Sequence, residues 1–261
     1  MDGLRERWVF VLLGAVLFAY VLYPIASFFA TNGGAVSLAA FADPAVVSAI
    51  RTSLLTAPVS TLIATVFGVP LAYVLARTEF PGKLVVDALV VLPLVMPPVV
   101  GGVMLLSGFG SASALGAFAN ALGLSLTDSY LGVVLAQTFV ASPFVVITAR
   151  SGFEGIDREV EQAARSLGKG PIETFRRVSL PLARESIVAG VVLTFARAMG
   201  EFGATMMTAY HPHTMPTQIW VTFIARGIAA TTPLVMVLLA IGFAVVFALQ
   251  YVGQRTDSPL P

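Results

Sequence analysis

Long uncharged stretches alternate along this chain with short segments that hold nearly all of the charge. Four of these stretches are uncharged and reach the roughly 20 apolar residues that a helix needs to cross a bilayer. A fifth stretch carries Arg197 and Glu201, and a sixth lies between Arg226 and Arg255. The pattern predicts six transmembrane helices at about 8–30, 52–76, 86–107, 129–150, 186–210 and 232–253.

The composition supports a membrane protein. Hydrophobic residues make up 57% of the chain and charged residues 11%, whereas soluble domains carry about 25% charge. The net charge of +1 leaves no basic excess for binding nucleic acid. The absence of cysteine excludes disulfides and thiolate metal sites. We therefore expect an all-α polytopic membrane protein that does not bind nucleic acid.

The distribution of basic residues predicts the orientation. Twelve of the fifteen Lys and Arg residues fall on one side of the six spans, namely Arg5, Arg7, Arg77, Lys83, Arg150, Arg158, Arg165, Lys169, Arg176, Arg177, Arg184 and Arg255. Because basic loops stay in the cytoplasm, we expect both termini inside the cell and the protein in the plasma membrane. The first apolar run is longer than the about 7–15 residues of a signal peptide, so we expect it to be retained as a span.

The segment 151–184, between the fourth and fifth predicted spans, concentrates 11 of the 29 charges. Asp157 is placed to cap a first short helix, and Gly168 is placed to end it. Pro171 suits the first turn of a second helix, and Pro181 is expected to stop that helix before the next span. The segment is thus predicted to be a cytoplasmic loop of two short helices.

Two short helices connected at both ends to membrane helices would form a protrusion that another protein can bind. The small pair Ala163-Ala164 would allow close approach of a partner, and the surrounding charges would set its register. We expect Ile172, Phe175 and Val178 along one side of the second helix. A loop that rests on lipid headgroups, or is simply solvated, fits the charge pattern equally well.

Seven positions of this loop form a spaced motif: Gln162, Ala163, Ala164, Gly168, Val178, Leu180 and Pro181. The motif resembles the cytoplasmic loop of bacterial and archaeal ABC-importer permeases, which reads E-A-A, three residues, G, nine residues, I, one residue, L-P. Gln162 stands where Glu is usual, and Val178 where Ile is usual. The resemblance implies that the loop docks in a groove of a separate ATP-binding subunit and transmits its closure to the spans.

Two segments within the spans carry a narrower resemblance. Residues 92–102, LPLVMPPVVGG, and 195–205, FARAMGEFGAT, look like the molybdate and tungstate branch of these permeases, with the sulfate and thiosulfate permeases close behind. The resemblance implies the six-span fold of type I ABC importer permeases. It also implies import of an oxyanion, with molybdate or tungstate preferred over sulfate or another small solute.

The resemblance further implies an assembly. Two copies of the chain would form a homodimer in the lipid with the pathway between them, together with two ATPase subunits that bind ATP and Mg and a soluble or lipid-anchored substrate-binding protein. The chain has no Gly-rich phosphate loop ending in Gly-Lys-Ser/Thr. We therefore expect a transport subunit with no catalytic residues, metal or cofactor of its own.

The interiors of two predicted spans contain candidate pathway residues. Interior prolines such as Pro97 and Pro98 oppose a straight helix, and they fit either a broken helix beside the pathway or an ordinary packing kink. Arg197 and Glu201 are four residues apart and should face the bundle interior, because an unpaired charge in lipid is costly. They fit either a structural ion pair or an element of the pathway. Met206 could line a gate, although methionine more often only packs.

Two other classes of protein remain alternatives. A secondary transporter would use intramembrane carboxylates for coupling and often shows inverted repeats, but this chain has one such carboxylate and no evident repeat. A membrane scaffold could also offer a docking loop, but it would not need proline-rich spans. On the outer side, segments 31–50, 109–128 and 211–231 are expected to face a binding protein, with His211 and His213 solvated or in contact with it.

Overall fold

The computed structural model describes residues 2–33 and 37–256, with side chains described for residues 8–33, 37–248 and 250. Within these ranges the chain forms helices and no strand. The α-helices are α1 Asp2–Asn32, α2 Pro44–Arg77, α3 Lys83–Val95, α4 Pro98–Phe109, α5 Ala114–Ala121, α6 Tyr130–Glu154, α7 Arg158–Ser166, α8 Pro171–Thr174, α9 Leu180–Leu182, α10 Arg184–Met199, α11 Gly203–Thr208, α12 Met215–Arg226 and α13 Thr232–Thr256. A π-helical segment, Phe175–Ser179, joins α8 to α9.

Four unbroken helical segments are long and apolar enough to span a membrane: Trp8–Asn32, Pro44–Arg77, Tyr130–Glu154 and Ile228–Ala248. They overlap the first, second, fourth and sixth predicted spans. Two bent helix pairs, Lys83–Val95 with Pro98–Phe109 and Pro171–Leu182 with Arg184–Met199, bring the number to six if each pair is counted as one span. The side chains of Arg5, Arg7 and Arg255, and residues 34–36 of the first predicted outer segment, lie outside the described part of the chain.

The helix pair α3 and α4 makes a bend of 117° at Met96 and Pro97. Both residues precede a proline, which disfavours the helical conformation, and both are extended, with ψ of 147° at Met96 and 131° at Pro97. Pro98 then occupies the first position of α4, where the missing N–H has no helical partner to lose. The predicted third span is therefore a broken helix rather than a gently kinked one.

The fifth predicted span differs from the expectation of one helix over 186–210. The helix α10 ends at Met199, and the short helix α11 begins at Gly203. Gly200 is a poor helix former, and the side chain of Glu201 accepts a hydrogen bond from the Ala204 N–H at 2.7 Å. The carboxylate therefore caps the start of a new helix where the apolar pattern predicted continuity.

The core of the molecule is the packing of α2 and α10 against α6. Ser60 lies beside Gln137 and Gly68 lies beside Val145, so α2 and α6 run parallel. A Cβ atom added at Gly68 would lie 3.0 Å from the side chains of Val145 and Val146. Small residues at such contacts let membrane helices approach closely. In contrast, α1 buries none of its apolar window within this chain.

Candidate functional site

The first helix of the loop at 151–184 begins and ends as the sequence predicts. Asp157 Oδ1 accepts a hydrogen bond from the Glu159 N–H at 3.0 Å, which satisfies one of the free donors at the start of α7. After α7, Gly168 adopts a φ of +86°, a left-handed conformation that glycine reaches without steric cost. The chain then turns, and Pro171 begins α8.

The second helix of the loop was predicted to stop at Pro181, but it continues past this residue. Helical winding continues from Pro171 to Leu182 through the π-helical segment, in which the Leu180 N–H bonds to the Phe175 carbonyl. Pro181 lies inside α9, and the next helix starts at Arg184 after a bend of 75°. The wider π winding changes which carbonyls need a donor, so a proline without an N–H is tolerated there.

The seven motif positions divide between the surface and the interior of the loop. Gln162, Ala163, Gly168 and Pro181 are exposed, Val178 and Leu180 are half-buried, and Ala164 is buried. Only Ala163 of the predicted small pair thus offers itself to a partner, because Ala164 faces the body of the protein.

The apolar residues of the second loop helix also divide, instead of lining one side as predicted. Ile172 is 75% exposed, whereas the ring of Phe175 packs on the rings of Tyr73 and Phe153 at centroid distances of 4.8 Å and 6.0 Å. The 3.6-residue pattern predicted one apolar face, but only Phe175 and Val178 share a half-buried state, and Ile172 is exposed.

The outer surface of the loop has a groove of about 570 Å³ lined by Gly170, Pro171, Ile172, Glu173, Arg176 and Arg177. Hydrogen bonding to Lys169, and the charges of Lys169 and Arg177, lower the pKa of Glu173, so this side chain is ionised at neutral pH. Leu167, at 83% exposed, and Ile172 add apolar surface around the groove. Mixed charge around exposed apolar side chains is typical of a protein-binding surface.

The buried side of the loop holds an ion pair that the sequence pattern did not reveal. Arg77, the last residue of α2, places its Nε 3.0 Å from Glu161 Oε2 of α7, and their side chains are 8% and 6% exposed. Arg77 also donates to the Ile156 carbonyl at 3.1 Å, and the Ser179 hydroxyl donates to Glu161 Oε1 at 2.7 Å. These residues are far apart in sequence, so their spacing does not predict the contact. Glu161 lies three residues before Ala164 on one face of α7, which is the only local indication that its side chain is buried.

The predicted pair in the fifth span is formed. Arg197 Nη1 lies 2.6 Å from Glu201 Oε2, and the carboxylate side chain is 1% exposed while that of the arginine is 26% exposed. Glu201 uses its other oxygen to cap α11, so the pair joins the end of α10 to the start of α11. The four-residue spacing predicted the pairing, but it did not predict that the pair bridges a helix break.

The two helix breaks lie against each other. A Cβ atom added at Gly203, the first residue of α11, would lie 3.1 Å from Pro98 Cβ, at the first residue of α4. One turn into α4, a Cβ atom added at Gly102 would lie 2.7 Å from the Ala204 carbonyl oxygen. Of the other predicted pathway residues, Pro97 is exposed and Met206 is half-buried. The helices α4 and α11 therefore pack with almost no space between their backbones.

A buried amide in the core is a further polar feature that the sequence reasoning missed. Gln137 of α6 is fully buried, and its Oε1 accepts a hydrogen bond from the Ser60 hydroxyl of α2 at 3.1 Å. The sequence could have indicated this contact. A glutamine within a largely apolar span is costly unless it is hydrogen-bonded, so a polar partner on a neighbouring helix was to be expected.

Three rings lie close together in the loop after α11. His211 and His213 lie 4.2 Å apart by ring centroid, and both contact Tyr210. Burial, and then the charge of His211, lower the pKa of His213, so His213 is neutral at pH 7. Within residues 2–33 and 37–256, no group of three or more His, Cys, Asp or Glu side chains is arranged to hold a metal ion.

Residues 64–258 match the family described as the binding-protein-dependent transport system inner membrane component. The probable molybdenum ABC transporter permease protein of Haloferax volcanii is 48% identical over 254 residues, which cover 97% of this chain and 93% of that protein. The molybdate/tungstate transport system permease protein of Thermococcus kodakarensis is 39% identical over 253 residues, covering 96% and 97%. A chain of a bacterial alginate ABC transporter superposes with a TM-score of 0.74 at 15% identity over 99% of each chain, a likeness of fold alone.

Proposed function

Because this chain belongs to the family of binding-protein-dependent transport system inner membrane components, and is thus an ABC-importer permease subunit rather than an ATPase, we propose that it imports molybdate or tungstate. The observation that carries the substrate is the match to molybdenum and molybdate/tungstate permeases along nearly the whole chain. The segments 92–102 and 195–205 fit the same branch. Sulfate is the second candidate, on the strength of those segments.

We propose that two copies of the chain form the working unit, with the oxyanion passing between them. The exposed helix α1, which buries none of its apolar window within one copy, supports an environment of lipid and a second copy. Two ATPase subunits, which bind ATP and Mg, would sit on the cytoplasmic side, and a binding protein would deliver the oxyanion outside. The basic residues of the loop side support an orientation with both termini in the cytoplasm.

The exposed side of the loop is the proposed docking surface for the ATPase. Gln162 and Ala163 of α7, together with the groove around Ile172, are accessible to a partner. Gln162 is uncharged, so we expect hydrogen bonding and packing rather than an ion pair at this position. Closure of the two ATPase subunits on ATP would then move the loops and open the pathway outward, and hydrolysis would reverse the movement.

The broken spans are the proposed lining of the pathway. Pro97 precedes α4, Pro98 begins α4, Met206 lies on α11, and Arg197 in the last turn of α10 is partly accessible. Glu201 neutralises Arg197 at 2.6 Å, so the arginine would not hold an oxyanion as an isolated cation would. A pathway that passes an anion needs such weak sites, because a strong site would trap it.

The experiment is uptake into proteoliposomes that contain the permease and its ATPase, with binding protein loaded with molybdate, tungstate or sulfate. We expect ATP hydrolysis to be stimulated by the molybdate- and tungstate-loaded protein, and the oxyanion to accumulate only when ATP is present. Stimulation by sulfate alone would contradict the substrate assignment. Uptake that needs an ion gradient but no ATPase would contradict the function itself and favour a secondary transporter.

A further inference from the structure

We propose that Arg77, Glu161 and Ser179 form a buried joint through which the cytoplasmic loop moves α2. The loop is connected by the chain itself to α6 and α10, but not to α2. The joint supplies that missing connection, and Glu161 is its positioning residue. This inference rests on the proposed function, since it concerns how a docked ATPase would act on the spans.

Three separate segments meet at Glu161. Its carboxylate lies 3.0 Å from the Nε of Arg77 at the end of α2. It also accepts a hydrogen bond of 2.7 Å from the hydroxyl of Ser179, which belongs to the second half of the loop. Arg77 also donates to the Ile156 carbonyl, in the linker between α6 and α7. One carboxylate and one guanidinium thus tie together α2, the linker and both loop helices.

The burial of this pair makes it mechanically useful. With side-chain exposures of 8% and 6%, neither group can turn to water, so separation would leave an unpaired charge in a protein environment. Arg77 uses Nε and Nη2 on two different acceptors, which fixes the orientation of its planar guanidinium. Movement of α7 is therefore passed to α2 instead of being absorbed by side-chain rotation.

An aromatic layer lies one helical turn from the joint. Tyr73 is four residues before Arg77, on the same side of α2, and its ring contacts Phe153 of α6 at 5.2 Å and Phe175 of the π-helical segment at 4.8 Å. The last turn of α2 is thus fixed by two sets of contacts, the aromatic packing of Tyr73 and the ion pair of Arg77. The π winding positions both Phe175 and Ser179 for these contacts.

The other ion pairs of this region make weaker or different connections. Glu173 pairs with Lys169 and Arg177, so it connects the loop only to itself. Arg150 pairs with Asp87 at 2.6 Å and joins α6 to α3, but both side chains are more than a quarter exposed. Among the described side chains, only the Arg77–Glu161 ion pair joins the loop to α2.

The test uses three conservative variants of the reconstituted complex: Glu161→Gln, Arg77→Lys and Ser179→Ala. The matched control is Glu79→Gln, which alters an exposed carboxylate that pairs with Lys83 just beyond α2. The readouts are the ATPase recovered with the permease, the stimulation of ATP hydrolysis by molybdate-loaded binding protein, and the molybdate taken up per ATP hydrolysed.

We expect all four variants to recover the ATPase like the unaltered chain. Molybdate uptake per ATP should fall at least fivefold in Glu161→Gln and Arg77→Lys and about twofold in Ser179→Ala, and it should not change in Glu79→Gln. A purely structural role would lower the amount of complex without changing this ratio. An unchanged ratio in both Glu161→Gln and Arg77→Lys, or loss of ATPase binding in them, would overturn the joint. Failure of the unaltered chain to bind an ATPase would instead overturn the proposed function.

Discussion

Among the described side chains, two Arg–Glu pairs have a buried carboxylate, and they differ in what they connect. Arg197 and Glu201 are four residues apart and join the end of α10 to the start of α11, so their pair bridges one break in one predicted span. Arg77 and Glu161 are 84 residues apart and join α2 to the cytoplasmic loop. The first pair fixes a local shape, whereas the second connects two parts that the chain does not link directly.

The two pairs also differ in the kind of packing that surrounds them. Around Arg197 and Glu201 the packing is backbone against backbone, since the starts of α4 and α11 meet at Pro98 and Gly203. Around Arg77 and Glu161 the contacts are made by long side chains and aromatic rings. Close packing of α4 and α11 thus depends on glycines without side chains, whereas the joint between α2 and the loop depends on long side chains.

The largest expected effect comes from removing the carboxylate of the long-range pair. Glu161→Leu leaves the Arg77 guanidinium buried without its partner, and breaking a buried pair in this way costs about 3–5 kcal/mol. Denaturant titration of the purified protein in detergent should show this fall in the free energy of unfolding. The control Glu79→Leu alters an exposed carboxylate and should change the free energy of unfolding much less than Glu161→Leu does. Equal effects in the two variants would remove the distinction between a buried joint and a surface pair.

A smaller effect is expected where the two breaks meet. Gly102→Ala places a methyl group against the Ala204 carbonyl and Met207 Cβ, both 2.7 Å away, and overpacking of this kind costs about 1–3 kcal/mol. Gly108→Ala is the matched control in the same helix, because nothing lies within 4 Å of its added Cβ. The melting temperature should fall in the first variant and hold or rise in the second. If both melt alike, α4 and α11 are not held as closely as described.

The smallest effect is expected for Glu201→Gln. The amide oxygen can still accept the Ala204 N–H, and only the charge facing Arg197 is lost. We expect the free energy of unfolding to fall by about 1 kcal/mol, because Arg197 is partly exposed and can be solvated. Glu201→Leu, which also removes the cap, should cost more than Glu201→Gln. A larger loss in Glu201→Gln than in Glu161→Leu would reverse the order of the two pairs.

Features with a local cause could be predicted from the sequence. The apolar stretches predicted the four unbroken helices, Asp157 and Gly168 predicted the limits of α7, and the four-residue spacing predicted the Arg197–Glu201 pair. The adjacent prolines at 97 and 98 predicted either a broken helix or a packing kink, and the structure has the break between α3 and α4. Each of these depends on residues of one continuous stretch of the chain.

Features that depend on tertiary contacts could not be predicted in the same way. The break after Met199 requires the Glu201 side chain to cap α11, which apolar periodicity does not encode. The continuation of helix through Pro181 depends on π winding, and the burial of Ala164 depends on where α7 packs. The partner of Arg77 lies 84 residues away, so no spacing rule reaches it. The motif indicated where the loop is, but not what its buried side contacts.

The most direct test of this account is a distance measurement between the loop and the end of α2 during the transport cycle. The chain has no cysteine, so spin labels can be attached at Glu79→Cys and Ser166→Cys, both exposed positions, with only one permease copy labelled. Pulsed EPR would compare the complex without nucleotide, with ATP, and trapped after hydrolysis. We expect the same distance in all three states, because the joint moves α2 and the loop together. A change of about one helical turn, ~5 Å, between these states would contradict it.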